Sequence, residues 1–198
     1  MRAWFLTLVD VTSSTLYKPE ELPALLRNQS IGTAHWLLAA ILPSASMATG
    51  AYLLRDYYES VFLFSILFHT LLQTLLFLII AFIAGATVDS QMYAKRPEKA
   101  GRSREVFRIA ILSLLPLSFV FPVSVVARVT PVPQIIAGVF AVLLYLWVIF
   151  NLIKSIQFLY EMPLRDVVRS IALSLGAIFG LPVLVFALLL VKIVSHAG

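Results

Sequence analysis

The chain has 198 residues, of which 61% are hydrophobic and 13% charged, and its mean hydropathy is +0.96, more apolar side chain than a soluble core of this size can hide. The formal charge of +5 is carried by lysines and arginines in short segments between apolar runs, the pattern of cytoplasmic loops rather than of a nucleic-acid footprint. Cysteine is absent, which excludes disulfides, thiolate metal sites and thiol nucleophiles.

In chain order, Arg2 and the apolar stretch Ala3 to Val9 superficially resemble a signal peptide, but the run breaks at Asp10 without a small-x-small cleavage site. Trp4, Phe5, Leu6, Leu8 and Val9 are expected either at the membrane interface or as a frayed terminus. Lys18-Pro19-Glu20-Glu21 reads as a helix start, with proline in the first turn and acids near the positive end of the helix dipole. Leu22, Leu25 and Leu26 then share a face, which predicts a short amphipathic helix lying on the inner surface. Residues 1–31 are accordingly expected to form a cytoplasmic and interfacial segment, and residues 32–198 a transmembrane domain.

A helix needs roughly 20 mostly apolar residues to cross about 30 Å of hydrocarbon. Five such runs occur, Gly32 to Leu54, Val61 to Thr87, Phe107 to Ala127, Pro133 to Ile153 and Val168 to Ile193, predicting an all-α polytopic bundle of five helices. Pro43, Pro116, Pro122 and Pro182 are expected to kink or interrupt their helices, each removing a backbone donor. Five spans place twelve cations on the side of the N-terminus: Arg2, Lys18, Arg27, Lys95, Arg96, Lys99, Arg102, Arg104, Arg108, Lys154, Arg165 and Arg169. Only Arg55, Arg128 and Lys192 fall opposite, so the N-terminus is expected in the cytoplasm and the C-terminus on the other side, in a bacterial inner membrane.

Polar groups inside a membrane are costly and are functional candidates for that reason. Ser65, His69 and Gln73 recur every four residues in the second run, a polar stripe on an aliphatic helix. It reads either as a proton or solute path, since histidine titrates near neutrality, or as structural hydrogen bonding between helices. No intramembrane Asp, Glu, Lys or Arg accompanies the histidine, and the expectation is a structural stripe turned into the bundle. His35, His69 and His196 are predicted at the inner edge, mid-membrane and outer tail, too far apart to hold a metal. Glu161 and Asp166 flank the turn Met162-Pro163-Leu164-Arg165 and are expected in a solvated loop rather than in a cleft for acid-base work. The serines lack a nucleophile elbow, and there is no glycine-rich phosphate loop, so no enzyme activity and no cofactor are expected.

Small residues recur every four positions at Ala40, Ser44 and Ala48 in the first run and at Ala172, Gly176 and Gly180 in the fifth, allowing close helix packing, expected within the bundle in preference to against another subunit. Lys95, Arg96, Lys99, Arg102 and Arg104 between the second and third runs form a basic cluster suited to anionic lipid headgroups or an acidic partner, or serve only to retain the loop inside.

Three features together resemble the Yip-domain (Ypt/Rab-interacting-protein) family in its short prokaryotic-like form. They are the proline-bearing stretch LYKPEELPALL at Leu16 to Leu26, the five runs with a long basic second loop, and LYLWVIFNLIKSIQFLYEMPLRDVVRSIAL from Leu144 to Leu173. The Asp-Leu-Tyr-Gly-Pro type motif of eukaryotic members is missing, and Rab binding is not carried over. The resemblance implies a non-catalytic accessory or scaffold protein whose partners are membrane lipids and other membrane proteins, with no nucleic acid and no metal. The competing expectation is a transporter or channel subunit with a polar path near His69 and Gln73.

Overall fold

A computed structural model of the chain describes residues 2–28, 33–54, 62–130, 134–176 and 180, and these residues are helical with short connections and no strand. Seven helices run α1 (Arg2–Tyr17), α2 (Leu22–Asn28), α3 (Thr33–Leu53), α4 (Phe62–Lys95), α5 (Ser103–Ser113), α6 (Val120–Val129) and α7 (Gln134–Tyr160). An eighth, α8, covers 164–176. Among the described residues, four helical stretches are long and apolar enough to cross a membrane: His35–Leu53, Leu63–Lys95, Ser103–Val129 and Ile135–Tyr160. The expected fifth span enters the described residues only through α8, and from Leu181 onward it lies outside them, as do Pro182 and His196.

The boundaries depart from the sequence reading where polar residues continue a helix. α4 does not stop at Thr87 but carries Asp89 to Lys95 as two further turns, reaching about 51 Å in all. α7 likewise continues past Ile153 to Tyr160. The third run is not one helix. It is α5 and α6 joined by a 3-10 segment, Leu115–Phe119, with Pro116 in its first turn. Pro43, by contrast, sits inside an uninterrupted α3, and Pro122 falls in the first turn of α6, where its missing donor is harmless.

Irregular backbone at membrane depth survives only where another group satisfies it. Here that group is Ser46 of α3: its hydroxyl donates to the Ser118 carbonyl at 2.7 Å and accepts from the Phe121 amide at 2.8 Å. Ser46→Ala should therefore cost about 1 kcal/mol, while Ser44→Ala, which removes only a bond to the carbonyl of Ala40 in its own helix, should cost less. Unfolding in mixed micelles, followed by circular dichroism, distinguishes the two.

The N-terminal segment is not a surface appendage. Val11, Leu22 and Leu26 belong to the same buried core as Met92, Ile109, Leu112, Ile156 and Tyr160. The helix expected from Pro19 begins instead at Leu22, because Lys18 to Glu21 close a turn of their own. Pro19 is buried there, its carbonyl accepting from Ser155 of α7 at 2.8 Å. The stretch Trp4 to Val9, whose apolar run breaks at Asp10, is part of a continuous helix, Arg2–Tyr17. α4 and α7 leave most of their apolar side chains outside the fold, Leu63, Phe64, Leu71, Phe82, Val142 and Phe150 among them, as lipid-facing flanks require.

α3 uses its small residues for contact. Ala40, Ser44 and Ala48 are buried, and a Cβ on Gly50 would meet Ser124 Oγ at 2.8 Å and Val120 Cγ1 at 3.0 Å, so α3 and α6 touch almost backbone to backbone. Ala172, Gly176 and Gly180 do not pack against the other described helices. All three are exposed, and Cβ atoms on the two glycines would meet nothing within 4 Å. α8 docks through Val167, Ser170, Ile171 and Ser174, spaced three and four apart, and Ser174 receives a hydrogen bond from Thr87 of α4 at 2.6 Å. Hydroxyl pairing with α4, available on that face alone, sets the rotation of the helix.

Candidate functional site: the basic end of the bundle

The structure gathers the two helical connections and the N-terminal turn at one end of the bundle. Asp89, one of the residues that prolong α4, is the centre. Its Oδ1 accepts from the Arg102 amide at 2.9 Å and from the Tyr160 hydroxyl at 2.8 Å, and its Oδ2 accepts from the Gly101 amide at 3.1 Å. Three donors on one carboxylate form a charge-assisted set, stronger than neutral hydrogen bonds of the same number. Gly101 can present its amide this way because it holds φ at +85°, a conformation costly for any other residue. Arg102 completes the clasp, donating from Nη1 to the Leu159 carbonyl at 2.6 Å at the end of α7.

The basic cluster read from the sequence is thus largely consumed inside the protein. Lys95 pairs with Asp166 at 3.6 Å, Lys99 with Glu161 at 2.5 Å, and Arg102 is committed to Leu159. Arg96 and Arg104 are exposed. Glu161 lies just after α7 and Asp166 in the first turn of α8, so the turn expected over Met162 to Arg165 ends at Pro163, and the two carboxylates are held by Lys99 and Lys95 respectively. Arg27 Nη2 adds a longer contact to Glu105 at 3.9 Å, an ion pair without a hydrogen bond.

Glu161 closes α7 with φ at +52°, the left-handed position where glycine is usual, and the Met162 amide returns to the Gln157 carbonyl at 3.1 Å. The Lys99 ammonium, by its hydrogen bond and then its charge, holds the Glu161 carboxyl below the usual glutamate range. A lowered folded value means that the pair stabilises the protein above the ordinary glutamate range and is lost as pH falls through the lowered value. The difference in thermal stability between the wild type and Glu161→Gln should therefore be measurable at pH 7, small for so exposed a pair, and vanish in acid below that value.

The polar stripe of α4 satisfies itself in part. His69 Nδ1 lies 2.7 Å from the Ser65 carbonyl and 3.4 Å from the Ser65 hydroxyl, one turn earlier on the same helix. Ser65, His69 and Gln73 are all half-buried, and Gln73 Oε1 is shielded from solvent without a hydrogen-bond partner. Asn151 of α7, which the sequence reading passed over, is fully buried, and neither amide atom has a partner. His35 is buried at the start of α3 and lines a 330 Å³ cavity together with Val11 and Leu16 of α1. Among the described residues, no three His, Asp or Glu side chains converge as a metal site would need.

Two grooves open beside the clasp. One, of 610 Å³, runs between α4 and α5 from Ser90, Tyr93 and Ser103 at the basic end to the exposed Phe82 two turns earlier on α4. The second, of 320 Å³, lies between α3, α4 and α5 and is bounded by Trp36, Leu78, Arg108 and Ile111. Phe107 and Arg104 are in the walls of both. The Arg108 guanidinium stands 5.1 Å from the ring centroid of Trp36, a cation-π contact. Sequence reasoning counted Arg108 among the basic side but gave Asp89, Tyr160 and Arg108 no role, since the partners lie outside their own helical turns, 12 residues away for Asp89 with Gly101 and 71 for Asp89 with Tyr160.

The clasp and its grooves are the chemistry this chain presents for comparison: no protein-family model, curated protein or solved structure matches it.

Proposed function

We propose that the chain is a non-catalytic membrane accessory or scaffold protein of the Yip-like type, holding partner membrane proteins or lipids together, with its clasped end in the cytoplasm of a bacterial inner membrane. The observation that carries this reading is the clasp. Its ionisable groups serve to tie α4, α5 and α7 into one rigid platform, and the exposed apolar flanks of α4 and α7 are left for lipid or for neighbouring membrane helices. The twelve-to-three division of cations and the Yip-like run of elements support the same orientation and class.

A transporter or channel subunit is the second reading. It is favoured by the shielded Gln73 Oε1 and the Asn151 amide, because an unpartnered buried amide costs about 1–3 kcal/mol unless water or a solute meets it. Proteoliposomes separate the two. A scaffold shows no pH-dependent flux, and His69→Leu and Gln73→Leu cost little, since the described bonds of His69 stay within α4 and Gln73 Oε1 has none to lose. A flux abolished by His69→Leu at unchanged stability would establish the transporter and sink the scaffold. In parallel, in-membrane cross-linking from the α4 and α7 flanks should capture a defined protein partner if the chain is a scaffold.

A further inference from the structure

Arg104 and Arg108 stand one helical turn apart on α5, a spacing at which like charges repel. Neither has a carboxylate partner among the described ion pairs. Glu105, three residues before Arg108, bears on it through its charge while its described ion pair is the 3.9 Å contact to Arg27, and Asp89, across the α4–α5 groove from Arg104, is engaged by Gly101, Arg102 and Tyr160. Two guanidiniums against one nearby carboxylate leave an excess of positive charge beside two grooves that share Phe107 and Arg104, with Arg108 in the wall of the second. Below the arginines both grooves turn apolar, lined by Phe82 and Ala86 on one side of the ridge and by Leu78 and Ile111 on the other.

We propose that this is a binding site for one anionic phospholipid, its phosphate bridging Arg104 and Arg108 and its two acyl chains lying one on each side of Phe107. The inference rests on the reading of the chain as membrane-spanning with its clasped end at an anionic leaflet. It assigns the lipid contact to two residues, whereas the sequence suggested a diffuse cluster, most of which the clasp occupies. Three features fit a phospholipid better than a free anion. Planar guanidiniums bind phosphate oxygens in pairs, the paired grooves match paired chains, and the apolar lining leaves a small hydrated anion nothing to contact below the headgroup. Ser90, Ser103 and Tyr93 at the mouth supply hydroxyls for a polyol headgroup such as glycerol.

Trp36, against Arg108 in the wall of the second groove, is a built-in reporter. The chain has three tryptophans, so Trp4→Phe with Trp147→Phe leaves Trp36 alone. This protein is reconstituted into phosphatidylcholine vesicles containing a minority of phosphatidylglycerol, with bromine on the acyl chains of one lipid or the other. Quenching of Trp36 should favour brominated phosphatidylglycerol about fivefold over its share of the bilayer. Arg104→Gln with Arg108→Gln should bring that preference close to one, Arg104→Lys should keep only part of it because an ammonium cannot pair with two phosphate oxygens, and Arg96→Gln should leave it unchanged. Circular dichroism and gel filtration verify that each variant is folded, and the Arg104→Lys result stands even if the double variant fails to fold.

Quenching that follows bulk composition, or a preference that survives the double substitution, would overturn the lipid site while leaving the membrane reading in place. Loss of the preference in added inorganic phosphate at constant ionic strength would overturn it in favour of a simple anion site. Absence of quenching by either brominated lipid would overturn the membrane reading together with the site.

Discussion

Asp89→Ala is expected to lower stability by about 3 kcal/mol and to loosen the whole basic end, because it leaves three donors without an acceptor at once. Those donors are the Tyr160 hydroxyl and the amides of Gly101 and Arg102, and they come from two different connections. Tyr160 is fully buried, so its hydroxyl cannot turn to water. Tyr160→Phe removes one donor together with its need and should cost about 1 kcal/mol. A double-mutant cycle between the two should give a coupling larger than the cost of Tyr160→Phe alone, since once Asp89 is gone that substitution breaks no bond and removes a buried hydroxyl left without an acceptor. Unfolding in mixed micelles measures the cycle, and additive effects would mean that the hydroxyl and the carboxylate do not share a bond. Asp89→Asn should fall between, keeping an acceptor for two donors while its amide faces the Gly101 N–H.

The second large effect is expected at Gly85, where α4 passes closest to the start of α5. A Cβ there would lie 2.8 Å from the Ser103 carbonyl oxygen, 3.3 Å from the Phe107 amide nitrogen and 3.4 Å from the Phe107 Cβ. The first two are backbone atoms, so no side-chain rotation relieves the contact and the helices must separate. Gly85→Leu should cost about 3 kcal/mol, at the upper end for overpacking, and Gly85→Ala somewhat less. Gly138 of α7 is the control, because a Cβ there would meet nothing within 4 Å. Gly138→Ala should be neutral or stabilise by up to about 1 kcal/mol through helix propensity. Equal costs at the two glycines would show that backbone approach between α4 and α5 does not limit stability. Separation of the pair would also widen the groove under Arg104, so Gly85→Ala should weaken the headgroup preference reported by Trp36.

Composition and hydropathy by themselves determined the class of fold. Apolar runs of twenty residues leave the backbone no solvent to bond with, and helices satisfy it within each segment, so an all-helical chain and the centres of its apolar helices were legible from the sequence. The grouping of cations was legible too, and the ion pairs Lys95–Asp166, Lys99–Glu161 and Arg27–Glu105 bring the same three segments to one end. What each cation does there was decided by the tertiary structure. A lysine that pairs with a carboxylate 62 residues away and one left to solvent have the same local sequence signature. The same holds for rotation: Ala172, Gly176 and Gly180 satisfy a small-residue pattern, yet Ser174 bonded to Thr87 turns that face outward. The break after Ser113 was foreshadowed by Pro116, but the acceptor and donor that make it tolerable belong to Ser46, 72 residues earlier. Periodicity and composition report on short-range interactions, which every helix satisfies alone. Partner choice, rotation and the position of Arg104 and Arg108 over their grooves are properties of packing, which arise only when the helices meet.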